Sequence, residues 1–292
     1  MFAAPTLPRL LYRYRPRPTG SAISHPILNC RQFWRMAAAK PKSVDLPALF
    51  AHVQRSYPKR FQKDGWYLTT VRYVQLAMEL TFVGALLIKK TAALIASGKP
   101  TLVGPLYSYL ALEHKTPAAR QALVRRMREA MIKCIILNGI PIVMEAFVSL
   151  AAVERPEDRE HGFTRQGWQA DEKNHKRGLD ALNILYRGEN NRIWGTFGAH
   201  RDIPWLSTDI SYGLFLANHT ILDIVESELV ILPAIMCQNL KMATHWHLRG
   251  CLRVGISRDE VEEIQSVIHA IAEACGKNLN NIGSISDVED DH

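Results

Sequence analysis

No acidic residue occurs in the first 44 positions of this 292-residue chain, although eight basic ones do: Arg9, Arg13, Arg15, Arg17, Arg31, Arg35, Lys40 and Lys42. Removing these eight from the 36 Lys and Arg leaves as many bases as the 28 Asp and Glu. The net charge of +8 therefore belongs to the leader. The body has no basic excess with which to hold nucleic acid, and no nucleic-acid partner is expected. Cysteine is sparse. Cys30, Cys134, Cys237, Cys251 and Cys275 nowhere form Cys-x-x-Cys and nowhere take metal-ligand spacing. That argues against a vicinal redox pair or a metal centre and fits a reducing compartment. No window of about 18 apolar residues is free of charge. The nearest, Val74 to Ile95, holds Glu79, Lys89 and Lys90, so no membrane span is expected. Strand alternation and a glycine-rich phosphate loop are also missing.

An arginine-rich, acid-free start has the composition of a mitochondrial transit peptide. Leu10, Leu11 and Tyr14 share a face opposite Arg9, Arg13 and Arg17, although Pro5, Pro8, Pro16 and Pro18 interrupt any helix. The expectation is a mitochondrial protein with a leader over 1–44 and a folded domain over 45–292. The alternatives are a disordered basic tail, or translation starting at Met36, which gives a cytoplasmic protein.

The body is rich in helical periodicity, with 47% hydrophobic residues to supply a core. Leu46, Leu49, Phe50 and Val53 mark a short helix ending near Tyr57-Pro58. A long apolar helix spans 66–98, and another covers 101–112. Thr116-Pro117 supplies an N-cap and a first-turn proline for a helix over 118–137. Its Arg120, Arg125, Arg126 and Arg128 read as a solvated face. Pro141 begins a further helix to about Val153. Residues 154–166 read as a polar linker, 168–186 as a helix, 188–206 as irregular, and 207–216 as a helix.

The stretch 225–276 is the most organised. Leu229, Val230, Leu232, Ile235 and Met236 recur at helical spacing. A second helix carries Met242, Trp246, Cys251 and Leu252 and stops at Gly255. Ser257 and Glu260 form a capping box for a third, with Val261, Ile264, Val267, Ile268 and Ile271 inward. Glu228, then His-Leu-Arg-Gly-Cys-Leu-Arg-Val-Gly from His247, then Ile-Ser-Arg-Asp-Glu-Val-Glu-Glu-Ile, resemble the carboxymuconolactone decarboxylase and AhpD-like superfamily. The resemblance covers roughly a fifth of the chain. It implies an all-α, AhpD-like helical bundle that forms homo-oligomers. Its redox cysteines align with Leu240 and Ala243, so that pair is absent here. The segment 118–153 aligns as a degenerate tandem repeat, with Glu129 on Glu228, Pro141 and Met144 on the cysteine slots, and Val148 on His247.

Without the thiol pair, the resemblance implies acid–base chemistry, with Glu228 and His247 as a relay and His245, Cys251 and Arg249 as accessory residues. His245 and His247 lie two apart and diverge on a helix, which disfavours joint metal binding. The leading expectation is a cofactor-free lyase-like reaction on a small oxo- or carboxy-substituted molecule. The alternatives are a non-catalytic helical scaffold and an atypical alkyl hydroperoxide reductase working through Cys251.

Overall fold

The computed structural model describes residues 55–61, 91–96, 98, 100–274 and 277–289. Among these residues every regular element is helical and none is a strand, as the periodicity implied. The leader, the helix expected over 46–53, most of the one expected over 66–98, and the side chain of Ile271 lie outside the described residues. In chain order the helices are α1 (Thr91–Ala96), α2 (Val103–Glu113), α3 (Pro117–Asn138), α4 (Ile140–Ala151), α5 (Glu172–Tyr186), α6 (Asn190–Gly195) and α7 (Asp202–Trp205). A π-helix over Leu206–Leu216 continues α7, and α8 (Ile224–Met236), α9 (Lys241–Arg253) and α10 (Arg258–Ala274) follow.

Local chemistry sets the ends. Thr116 Oγ1 accepts from the Ala119 N–H ahead of Pro117, starting α3. Asp223 and Glu226 close a capping box on α8. Ser257 and Glu260 exchange the equivalent bonds ahead of α10. Gly139 and Gly255, at φ +94 and +86, take the backbone out of α3 and α9 through a region closed to most side chains.

Helix α8 is the axis of the fold. Every residue from Ser227 to Met236 is buried, as expected for a helix apolar on all sides. It packs on α1, α3 and α9. Leu229, Val230, Leu232 and Met236 join Met127, Met131 and Cys134 of α3 and Leu248 and Cys251 of α9 in the main core. Ile231 and Ile235 point the other way, into a smaller core with Leu182 and Leu185 of α5 and Tyr212 and Leu216 of the π-helix.

The structure departs from the sequence reading in three places. The arginines of α3 form ion pairs instead of a purely solvated face. Arg120 is buried against Asp158 at 2.8 Å, Arg126 meets Glu226 at 2.6 Å, and Arg128 holds Glu160. Their acidic partners come from the polar 154–166 segment and from α8, where helix periodicity carries no information. That segment is therefore anchored: Arg165 grips Glu129 with two bonds of 2.8 Å. Helix α5 starts at Glu172, later than expected, because the Asp171 side chain caps it by accepting from Asn174 N–H. Trp168 stays outside, with the Arg177 guanidinium 3.6 Å over its ring.

Candidate functional site

Glu228 lies on α8 and His247 on α9. Their side chains meet at 2.9 Å, His247 Nδ1 to Glu228 Oε2. Gly250, one turn beyond His247, keeps the helices close: a Cβ there would stand 3.4 Å from Leu185 Cδ2 and 3.5 Å from Glu228 Oε2. Both partners are buried, with Glu228 1% and His247 5% exposed. Nδ1–H donates to the carboxylate, which leaves Nε2 as the basic nitrogen. The Tyr186 ring stands edge-on to His247 at 6.3 Å and to Trp246 at 6.2 Å. Its hydroxyl lies 3.4 Å from that of Tyr212. Burial pushes the Tyr186 phenol up to about 12 and the Tyr212 phenol upward as well, so both stay protonated near neutrality.

One feature of the pair stands out chemically. Glu228 Oε1 is buried and has no hydrogen-bond partner among the described residues, and Thr244 Oγ1, one turn before His247, is in the same position. An unsatisfied buried acceptor costs about 1–3 kcal/mol, more when charged.

The accessory residues fare differently. Cys251 is fully buried, and burial together with the Glu228 charge pushes its thiol well above the usual range. It is held in the form that does not attack a peroxide. Arg249 turns to Glu189 at 3.0 Å, beside Arg253 at 2.7 Å from the same oxygen. His245 is half-buried. Leu240 and Met242, which would fill a closed pocket in a scaffold, are instead 46% and 62% exposed. No group of three or more His, Cys, Asp or Glu is arranged to hold a metal among the described residues.

A second acid–base pair was missed in the sequence. His175 of α5 meets Asp209 of the π-helix through Nδ1, at 3.1 and 3.0 Å from the two carboxylate oxygens. Asp209 is buried, whereas the His175 side chain is 52% exposed. Both line a cleft of about 780 Å³ whose walls include Trp194, Phe197 and Trp205. Neither Glu228 nor His247 lines that cleft. Two glycines make the pairing geometry accessible. A Cβ on Gly178 would sit 2.0 Å from Thr208 O, and one on Gly213 would sit 2.5 Å from Asn174 Nδ2. The buried Asn174 amide donates to Asp209 O at 2.8 Å, and the Arg177 Nε–H donates to Gly213 O at 3.1 Å. The aromatic residues clustered over 194–205 were the one sequence signal for this cleft.

Beside Glu228 runs a buried charge system. Lys133 donates to Leu216 O at 2.6 Å and Asn218 O at 3.0 Å and lies 3.5 Å from Glu129. Burial pulls its ammonium down to about 8, against the opposing pull of Glu129. Glu129 is thus buried like Glu228, but arginine and lysine hold it where histidine holds the other.

Comparison with known proteins adds a compartment. The chain is 24% identical over 167 residues to a Schizosaccharomyces pombe protein named Peroxisomal protein 2, covering 57% of this chain and 76% of that one. It is 27% identical over 121 residues to a Saccharomyces cerevisiae protein of the same name, covering 40% of this chain and 41% of the relative. No family profile matches the chain, and no solved structure is similar to it. The relatives' names point to the peroxisome, which overturns the expected mitochondrial address. The physical reason is that a basic, acid-free composition is shared by tails that are not import signals.

Proposed function

We propose that the chain is a peroxisomal protein of the AhpD-like helical type that carries out cofactor-free acid–base chemistry at Glu228 and His247. Its substrate is a small oxo- or carboxy-substituted molecule. The observation that carries this reading is the half-satisfied carboxylate. Glu228 Oε2 orients the imidazole, while Oε1 is buried without a donor. A carboxylate in that state awaits a proton or a hydroxyl from a ligand. His247 Nε2 then takes or returns the substrate proton, and Glu228 stabilises the imidazolium formed. The helix order supports the resemblance, with Glu228 and His247 on consecutive helices followed by a glycine turn and a capped helix. At the spacing that carries Glu129 onto Glu228, α4 falls within about three residues of α9. This supports the tandem-repeat reading, with a first copy that has lost its chemistry because Val148 is exposed.

A second reading, a non-catalytic scaffold that associates with copies of itself, draws on the apolar surface. Ile140, Met144 and Val148 form an exposed stripe along α4, and Leu240 and Met242 are exposed at the start of α9.

The test is proton exchange. A panel of β-keto acids and lactone carboxylates is incubated with the protein in heavy water, and proton NMR follows loss of the α-proton and any decarboxylation. His247→Gln is expected to abolish turnover with little change in melting, and Glu228→Gln to lower it less severely. If the pair is structural, both variants lose roughly 1–3 kcal/mol of stability and any activity tracks the folded fraction. Unaltered turnover in two folded variants removes the catalytic reading. A fluorescent fusion of the full chain is expected to coincide with a peroxisomal marker in yeast, and a diffuse signal overturns that address.

A further inference from the structure

We infer that the cleft between α5, the π-helix and the 190–205 connection is a second ligand site, for a flat aromatic molecule that presents a hydroxyl to His175. It is separate from the Glu228–His247 pair. The tautomer decides the ligand's polarity. Asp209 accepts from His175 Nδ1–H on both oxygens, so Nε2 carries the lone pair and requires a donor from the ligand. His175 lines the cleft and is half exposed, so this nitrogen is reachable. Trp194, Phe197 and Trp205 supply the apolar walls, and about 780 Å³ suits a molecule of a few fused or linked rings.

Charge narrows the class further. Asp171 and Glu172 at the start of α5 and Asp209 on the π-helix face the cleft, against Arg201 with His200 beside it. With the histidines neutral the acids outnumber the single arginine, which disfavours a carboxylate. A phenol or enol fits instead: neutral, planar and a good donor. The π-helix is an independent pointer. Its wide turn places Thr208 and Asp209 on the cleft wall, and π-helical turns inside α-helical segments concentrate at functional sites.

The experiment uses the full chain, 2-naphthol as probe and 2-methoxynaphthalene as the same ring without the donor, with binding read by calorimetry. 2-Naphthol is expected to bind with Kd below about 1 mM, and the ether about three- to tenfold more weakly, the worth of one neutral hydrogen bond. His175→Leu and Asp209→Asn are each expected to erase the preference for the hydroxyl. Asp209→Asn does so by letting an amide donate to Nδ1 and move the ring proton to Nε2. Trp205→Ala, at an exposed position, is expected to weaken both probes equally without changing the melting temperature. Failure of 2-naphthol to bind, equal binding of the two probes, or a preference that survives both histidine-side variants overturns the proposal.

Discussion

Replacing Gly178 with alanine tests the tightest packing in the molecule. In a helix interior this change normally stabilises by about 0.5–1 kcal/mol, because alanine loses less backbone entropy on folding. Here the structure reverses the sign. The new Cβ would stand 2.0 Å from Thr208 O and 3.0 Å from Gly213 N, both backbone atoms that no rotamer can move. Relief requires α5 to retreat from the π-helix by at least about 1 Å. That movement stretches the Asn174 bond to Asp209 O, the Arg177 bond to Gly213 O and the His175–Asp209 pair, now at 2.8, 3.1 and 3.0 Å. Overpacking costs about 1–3 kcal/mol, and each weakened bond adds up to about 1 kcal/mol. After the propensity gain is deducted, the net loss is about 3 kcal/mol, or about 6–12 °C in Tm for a domain of this size. Thermal melting by circular dichroism measures it, with Gly195→Ala, whose Cβ would meet nothing within 4 Å, as control. A Gly178→Ala protein melting within about 2 °C of the parent would refute the close approach of the two helices.

Lys133 gives a pH signature with a definite sign. Its folded value of about 8 lies below the ordinary 10.5, so between those values the unfolded chain binds more protons and stability rises with pH. Below pH 8 the full penalty of the buried ammonium is present. Relative to Lys133→Met, the parent should gain up to about 3 kcal/mol between pH 8 and 10.5, and urea unfolding with parallel slopes for both proteins would contradict this. Cys134, Cys237 and Cys251 are buried, so N-ethylmaleimide should leave their peptides unlabelled in the native protein and label them in urea. Turnover of hydroperoxide that disappears in Cys251→Ser would show that the thiol is reachable after all.

The helical class, the caps at Thr116 and Ser257 and the stripe of α8 were legible because each is written in local spacing. Glu228 and His247 were found through a motif whose helices the structure brings together as expected. His175 and Asp209 were not legible. They lie 34 residues apart on different elements, and a lone histidine on an amphipathic helix carries no periodic signal. The ion pairs of Arg120 and Arg165 were missed for the same reason, since a charged residue looks solvated until its partner arrives from a distant loop. The π-helix was read as ordinary helix because the hydrophobic pattern over Leu206–Leu216 does not record which carbonyl each N–H chooses.

That choice has a consequence for how this region tolerates change over evolutionary time. In the π-helix each N–H reaches back five residues, as Ala217 does to Tyr212 O at 2.8 Å, whereas α7 just before it keeps the four-residue step. Losing one residue at the junction would restore α-helical register and rotate everything beyond it by about 100°, carrying Asp209 off the face that meets His175. The pairing is therefore recorded in the length of the segment as much as in its residue identities. Homologues that keep both side chains but differ by one residue between Trp205 and Asp209 would have lost the cleft, and a catalogue of point substitutions alone would not reveal it.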